Sequence, residues 1–321
     1  MVSMFNLFKI AVNAFRESLR EPVFFLMLLS ALVLIGHYPS AAIFVFSEQM
    51  KLVVDSSMAT GLIFSLVVAV LCASYTIARE MRNGTVLLLM SKPVQRWSFI
   101  LGKIAGIVSA ASLFAFLCNC ACITSVYIAT DQFRFDMALY FGFLGVLVLG
   151  CIIGMVANFW RGSSFPEIAS YAVSILVPLF AVICIATQPH PTVSMGDLAK
   201  ALLLINFAVL AMSTIAVVAA TRFDVVPNLC FCTVIFFLGL VSSYLFQRET
   251  DSALLGAVFG FFYAVIPNWQ FFWLADAVAV NRHIPNSYIL DAAFYVVLYI
   301  IIASLWAVAI FQNREVAGSS R

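Results

Sequence analysis

The sequence predicts an all-α polytopic membrane helix bundle, from its composition, the spacing of its charges and the length of the runs between them. Of 321 residues, 64% are hydrophobic and only 10% are charged, whereas ordinary soluble domains carry roughly a quarter charged residues. Nine stretches of 21 or more residues contain no Asp, Glu, Lys or Arg: 22–47, 56–78, 104–130, 137–160, 168–196, 201–221, 225–247, 252–275 and 292–313. A helix needs about 20 apolar residues to cross hydrocarbon. Lipid offers no partner to backbone N–H and C=O groups, so spans of this kind must be helices.

Eight of the nine read as full spans. The exception is 252–275, whose apolar part, Ser252 to Ile266, is 15 residues long before Pro267-Asn268-Trp269-Gln270 interrupts it. That length suits a re-entrant or interfacial segment. With eight spans and the N-terminus inside, Lys and Arg divide 12 to the cytoplasmic side against 5 outside; nine spans give 11 against 6. Charge alone separates the two topologies only slightly, and the interrupted run favours eight. The expected organisation is a cytoplasmic interfacial helix over 1–21, one transmembrane domain over 22–313 and a cytoplasmic tail over 314–321. Both termini face the cytoplasm of a cell (inner or plasma) membrane. The outer segment 248–287 then carries Trp269, Phe271, Phe272, Trp273 and, just beyond it, Tyr288, the composition of an interfacial belt.

With a formal net charge of only +2, the position of the charges matters more than their sum, and no nucleic-acid partner is expected. The first apolar run, from Pro22 to Phe46, lacks the form of a cleavable signal peptide. All eight cysteines fall inside apolar runs, which argues against an extracellular disulfide framework.

Within the first segment, Phe5, Phe8, Val12, Phe15 and Leu19 recur at helical spacing. They form one apolar face, with Lys9, Arg16 and Arg20 on the remaining surface. An amphipathic helix lying on anionic lipid follows, with Pro22 separating it from the first span.

The densest positive charge lies between spans two and three, from Arg79 to Lys103. Gly84 breaks the helix leaving span two, Thr85 can cap a new one, and Val86 to Met90, with Leu88 central, form a compact apolar knob. Ser91, Pro93 and Arg96 close it. The positive-inside rule explains the charge but not this order of breakers. An apolar knob facing water needs a partner groove.

The order Glu80, Gly84-Thr85, Ser91-x-Pro93-x-x-Arg96, Lys103 resembles the loop after the second span of ABC-2-type transporter permeases. The similarity is closest to the branch named for multi-copper enzyme maturation, which includes the nitrous-oxide reductase maturation permease. It implies the permease subunit of an ATP-binding-cassette exporter, an ABC ATPase docking on 79–103, and a homodimeric or pseudo-symmetric dimeric assembly in the bilayer. Many members have six spans, so eight is a departure. No G-x-x-x-x-G-K-[ST] phosphate loop occurs here; Gly102-Lys103 continues into Ile104. The chain is therefore expected not to be an enzyme and to bind no cofactor itself, with ATP and Mg on the partner.

Other candidates are weaker. Cys118-x-Cys120-x-Cys122 suggests copper, but on a helix Cys120 points away from the other two; no metal site is expected. No ionisable residue sits well inside a span, which disfavours an ion-coupled carrier. Asn119, Asn158 and Asn206 are expected to bridge helices. Gly102-x-x-x-Gly106 and Gly150-x-x-x-Gly154 are expected to pack helices closely, within the chain or at a dimer seam. A non-transport membrane anchor or assembly subunit is the alternative function, and no substrate-binding residue can be named.

Overall fold

The computed structural model describes residues 2–45, 48–79, 95–129, 134–189, 191–246 and 253–312. Among them every regular element is helical, and we number the α-helices in order: α1 Val2–Arg20, α2 Pro22–Ala41, α3 Gln49–Ala73, α4 Arg96–Ile128, α5 Met137–Arg161, α6 Phe165–Thr187, α7 Met195–Ala220, α8 Val225–Phe246, α9 Ala253–Val265, α10 Ala275–Ala279 and α11 Asn286–Gln312. Eight are long and apolar enough to cross a membrane: α2 to α8, and α11. The chain is a multi-pass membrane bundle.

Three helices form its centre. Well over half of the apolar windows of α3, α4 and α7 is buried, against less than a quarter for α5, α8 and α11. α7 packs on α3, α4 and α11, while α2 lies against α3 and α4. α5 and α6 form an antiparallel hairpin on one flank. Gly150 and Gly154 fit against Val173 and Ala169 of α6, where an added Cβ would come within 2.7 Å of either side chain. That pair of glycines therefore packs inside the chain.

Hydrophobic surface does not drive helix association in lipid; close packing and interhelical hydrogen bonds do, each bond contributing roughly 0.6–2 kcal/mol. Tyr38 Oη pairs with Thr60 Oγ1 at 2.6 Å, joining α2 to α3. Ser125 Oγ donates to the Ile35 carbonyl at 2.8 Å, joining α4 to α2. Asn119 Nδ2 donates to the Leu202 carbonyl at 3.0 Å, joining α4 to α7. Asn119 thus bridges helices as its sequence position suggests. Asn158 instead donates to the Ser163 carbonyl at 2.6 Å, in the loop that follows its own helix.

The second and third spans start earlier than the charge-free runs imply. α3 begins at Gln49, so Lys51 and Asp55 lie in its first two turns, and Asp55 Oδ1 is buried without a hydrogen-bond partner among the described residues. At its other end α3 runs on through a π turn, Ser74–Ala78, a geometry that marks local strain or function. Asn228 of α8 holds this turn, its Nδ2 donating to Ser74 Oγ at 2.8 Å and to the Ala216 carbonyl at 3.2 Å.

The segment between α8 and α11 enters the bundle without crossing it. Its first part folds back on the end of α8, where Phe246 stacks on Phe262 at 5.8 Å, and its last part lies where α3 and α7 begin. Asp276 stands 3.6 Å from Lys51, and the Ile284 N–H donates to Asp197 at 3.0 Å. Asn281, in the left-handed region at φ 53°, uses its side chain to accept from Ser194 N–H and to donate to the Thr192 carbonyl. Between these parts the chain reaches mid-depth. Tyr299, midway along α11, donates to the Val265 carbonyl at 3.1 Å, and Trp269 Nε1 lies 3.5 Å from the Ile235 carbonyl, midway along α8. The re-entrant reading of the short run therefore holds, but the belt reading of its aromatics does not. Trp269 and Phe272 are almost wholly buried, wedged against α7 and α8, because the break at Pro267 turns them toward the protein.

Gly239 makes room for that wedge. A Cβ there would meet the Pro267 carbonyl and the Trp269 indole. Gly239→Val is expected to destabilise the protein by about 1–3 kcal/mol, the usual effect of overpacking. It should also expose Trp269 and red-shift the tryptophan emission, both readable in thermal unfolding followed by fluorescence.

Candidate functional site at the α1 end of the bundle

Of the loop residues singled out in the sequence, Glu80, Gly84, Thr85, Leu88, Ser91 and Pro93 lie outside the described residues, as does the Val86–Met90 knob. Arg96 opens α4, and Lys103 lies two turns inside it. The structure thus describes the two legs from which the loop springs, the end of α3 and the start of α4.

α1 binds the second leg directly. α4 has 33 residues, about 50 Å at 1.5 Å per residue, while the hydrocarbon is about 30 Å thick. The surplus at its N-terminal end packs along α1. Gly102 and Gly106 permit this approach. A Cβ on Gly102 would come within 2.8 Å of Ile10, and one on Gly106 would meet the Ala11 carbonyl and, at 2.6 Å, the Ala14 methyl. This Gly-x-x-x-Gly pair serves packing within the chain and forms no dimer seam.

The contact corrects the picture of α1 as a helix resting only on lipid. Its packed face follows Leu7, Ile10, Ala11, Ala14 and Ser18, and the Phe8–Val12–Phe15–Leu19 face lies beside it. Along that second face Phe8 is exposed, Val12 and Phe15 are half-buried, and Leu19 is fully buried. Phe5 belongs to α1, on the same periodicity. The sequence signal that could have found the packed face is its run of small residues opposite Gly102 and Gly106.

Three ion pairs fasten the last turn of α1 and the residue after it. Lys103 Nζ lies 3.0 Å from Glu17 Oε2 and 5.9 Å above the Phe99 ring, and Lys103 is only 4% exposed. An ammonium so deeply buried requires a carboxylate. Arg79, at the end of the α3 leg, lies 3.0 Å from Glu21 and 5.3 Å above the Tyr75 ring. Arg20 Nε donates to Glu167 of α6 at 2.6 Å, and that carboxylate raises the arginine's pKa above its ordinary value. Phe99 stacks on Phe311 at 5.8 Å, which adds the end of α11. Both legs of the loop and α6 therefore meet on residues 17–21.

No family model matches the chain, and no curated protein is significantly similar to it. What the site can do rests on its geometry. Among the described residues no cluster of three or more His, Cys, Asp or Glu side chains could hold a metal ion. Cys118, Cys120 and Cys122 are buried free thiols within α4. These ion pairs cross between elements and join α1, α3, α4 and α6 at one junction.

Glu17→Gln replaces the carboxylate 3.0 Å from the buried Lys103 ammonium and is expected to lower stability by about 1–3 kcal/mol. Lys103→Met removes the charge itself and leaves a half-exposed Glu17 to hydrate, so it should cost less. Thermal unfolding of both variants in detergent checks the order.

Proposed function

We propose that the chain is the membrane-spanning subunit of an ATP-binding-cassette exporter, of the ABC-2-type permease kind. A separate ATPase docks on the 79–103 loop at the cytoplasmic face of a cell membrane. The supporting observation is that both legs of this loop are ion-paired to one short stretch at the end of α1, Glu17 to Glu21. A push on the loop therefore loads α1, and through the single residue Glu21 it loads α2 as well. In this reading both termini are cytoplasmic, two copies or two related chains assemble, and ATP and Mg are held by the partner, since this chain has no phosphate loop.

The motion follows from where the contacts are rigid. The α1–α4 contact is too close to slide, so the legs carry α1 with them as a body. α3 can yield at its π turn, which replaces the regular helical hydrogen bonds just before the loop. Docking energy is thereby converted into tilting of α2 and α3 relative to α7, the helix at the bundle centre.

Glu80→Ala, Gly84→Val and Arg96→Ala are expected to abolish co-purification of the ATPase, or its stimulation by the membrane subunit, with membrane insertion unchanged. Normal capture and stimulation in all three variants would refute the docking assignment. An ATPase that binds but shows no coupled export would favour an anchoring role.

A further inference from the structure

A groove of about 540 Å³ opens between α4 and α7. That volume falls within the range of roughly 300–1,000 Å³ typical of small-molecule sites. Ser109, Ser112 and Phe116 line it from α4; Leu203, Asn206 and Phe207 line it from α7. These positions lie midway along both helices, within the stretches apolar enough to cross a membrane.

Polar side chains at that depth are costly unless they are hydrogen-bonded. Asn206 Nδ2 makes one long bond, 3.4 Å, to the Leu202 carbonyl of its own helix, and that carbonyl already accepts from Asn119 at 3.0 Å. Ser109 Oγ donates to the Ala105 carbonyl at 2.6 Å. Neither Ser112 Oγ nor Asn206 Oδ1 has a hydrogen bond among the described residues. The groove thus holds donor and acceptor capacity beside two phenylalanine rings and a leucine, and no ionisable side chain lines it.

We propose that this groove binds an uncharged amphipathic molecule. Its hydroxyl, ester or amide group meets Asn206 and Ser112, and its hydrocarbon lies on Phe116, Leu203 and Phe207. A charged headgroup would lose its water with no counter-ion in reach, so the site selects against it. The cavity of about 240 Å³ between α3, α7 and α8 differs in kind, being walled by aliphatic and aromatic side chains with Thr233 the one hydroxyl. Nothing there distinguishes one acyl chain from another. That the bound molecule is cargo rests on the exporter reading, but its binding does not, and the test needs no ATPase.

The probe is a diacylglycerol with a diazirine in one acyl chain, photolysed with the purified protein in phosphatidylcholine nanodiscs and mapped by peptide mass spectrometry. Phosphatidic acid with the same labelled chain is the charged control. Diacylglycerol adducts are expected to concentrate on residues 105–116 and 203–210 relative to the lipid-facing side of α5, with no such enrichment for phosphatidic acid. Asn206→Leu removes the carboxamide and Ser112→Phe fills the groove from the other wall. Each should lower the labelling about fivefold, the effect of losing one hydrogen bond, and is judged only if its thermal stability matches the wild type. Even labelling over all lipid-facing helices, equal labelling by phosphatidic acid, or unchanged labelling in both variants would overturn the proposal. So would oxidative cross-linking of Ser109→Cys between copies, which would show the groove to be covered by a second chain.

Discussion

The close contact between α1 and α4 is the constraint on which the rest depends. Gly102 and Gly106 let the two helix backbones approach to a distance that no side chain would allow. That approach buries Lys103, and a buried ammonium fixes the position of Glu17. Once Glu17 is fixed, Arg20 and Glu21 in the next turn fall opposite Glu167 and Arg79. Two glycines thus determine where four helices meet, and with them the base of the loop between α3 and α4.

Deeper in the bundle the same economy of polar groups recurs. Helices with apolar surfaces on all sides have little reason to choose one neighbour over another in lipid, so register comes from a few directional bonds. Tyr38 to Thr60, Ser125 to Ile35 and Asn119 to Leu202 each tie two of the inner helices together. α3 shares in this through Thr60 and Ser74, yet its Ser57, Ser65 and Thr76 carry buried hydroxyl oxygens without a partner among the described residues.

Much of this architecture was legible in the sequence because the bilayer imposes length. The eight spans and the short ninth run follow from counting apolar residues, and the proline break at 267 marks the re-entrant tip. Charge misled at the boundaries. Asp55 and Lys103 were read as span limits, yet both lie within helices, because an ion pair or an interfacial position makes a charge tolerable there. Aromatic content misled too. Trp269 and Phe272 look like a belt in one dimension, and only the fold of Pro267 against Gly239 turns them inward. The α1–α4 junction was half visible. The Gly-x-x-x-Gly signal was read, but its partner face on α1 was hidden beside a more obvious stripe of phenylalanines. Ion pairs between residues 58 to 147 positions apart leave no local trace in a sequence.

The central claim, that α1 and the start of α4 move as one body, is most directly tested by a distance measurement between them. Spin labels at Asn13 and Ala105, both exposed positions, can be introduced in a background with the exposed Cys230 replaced by serine. Pulsed electron resonance in nanodiscs should give one narrow distance, unchanged when the ATPase and nucleotide are added. A broad distribution, or a distance that shifts with nucleotide, would contradict the account.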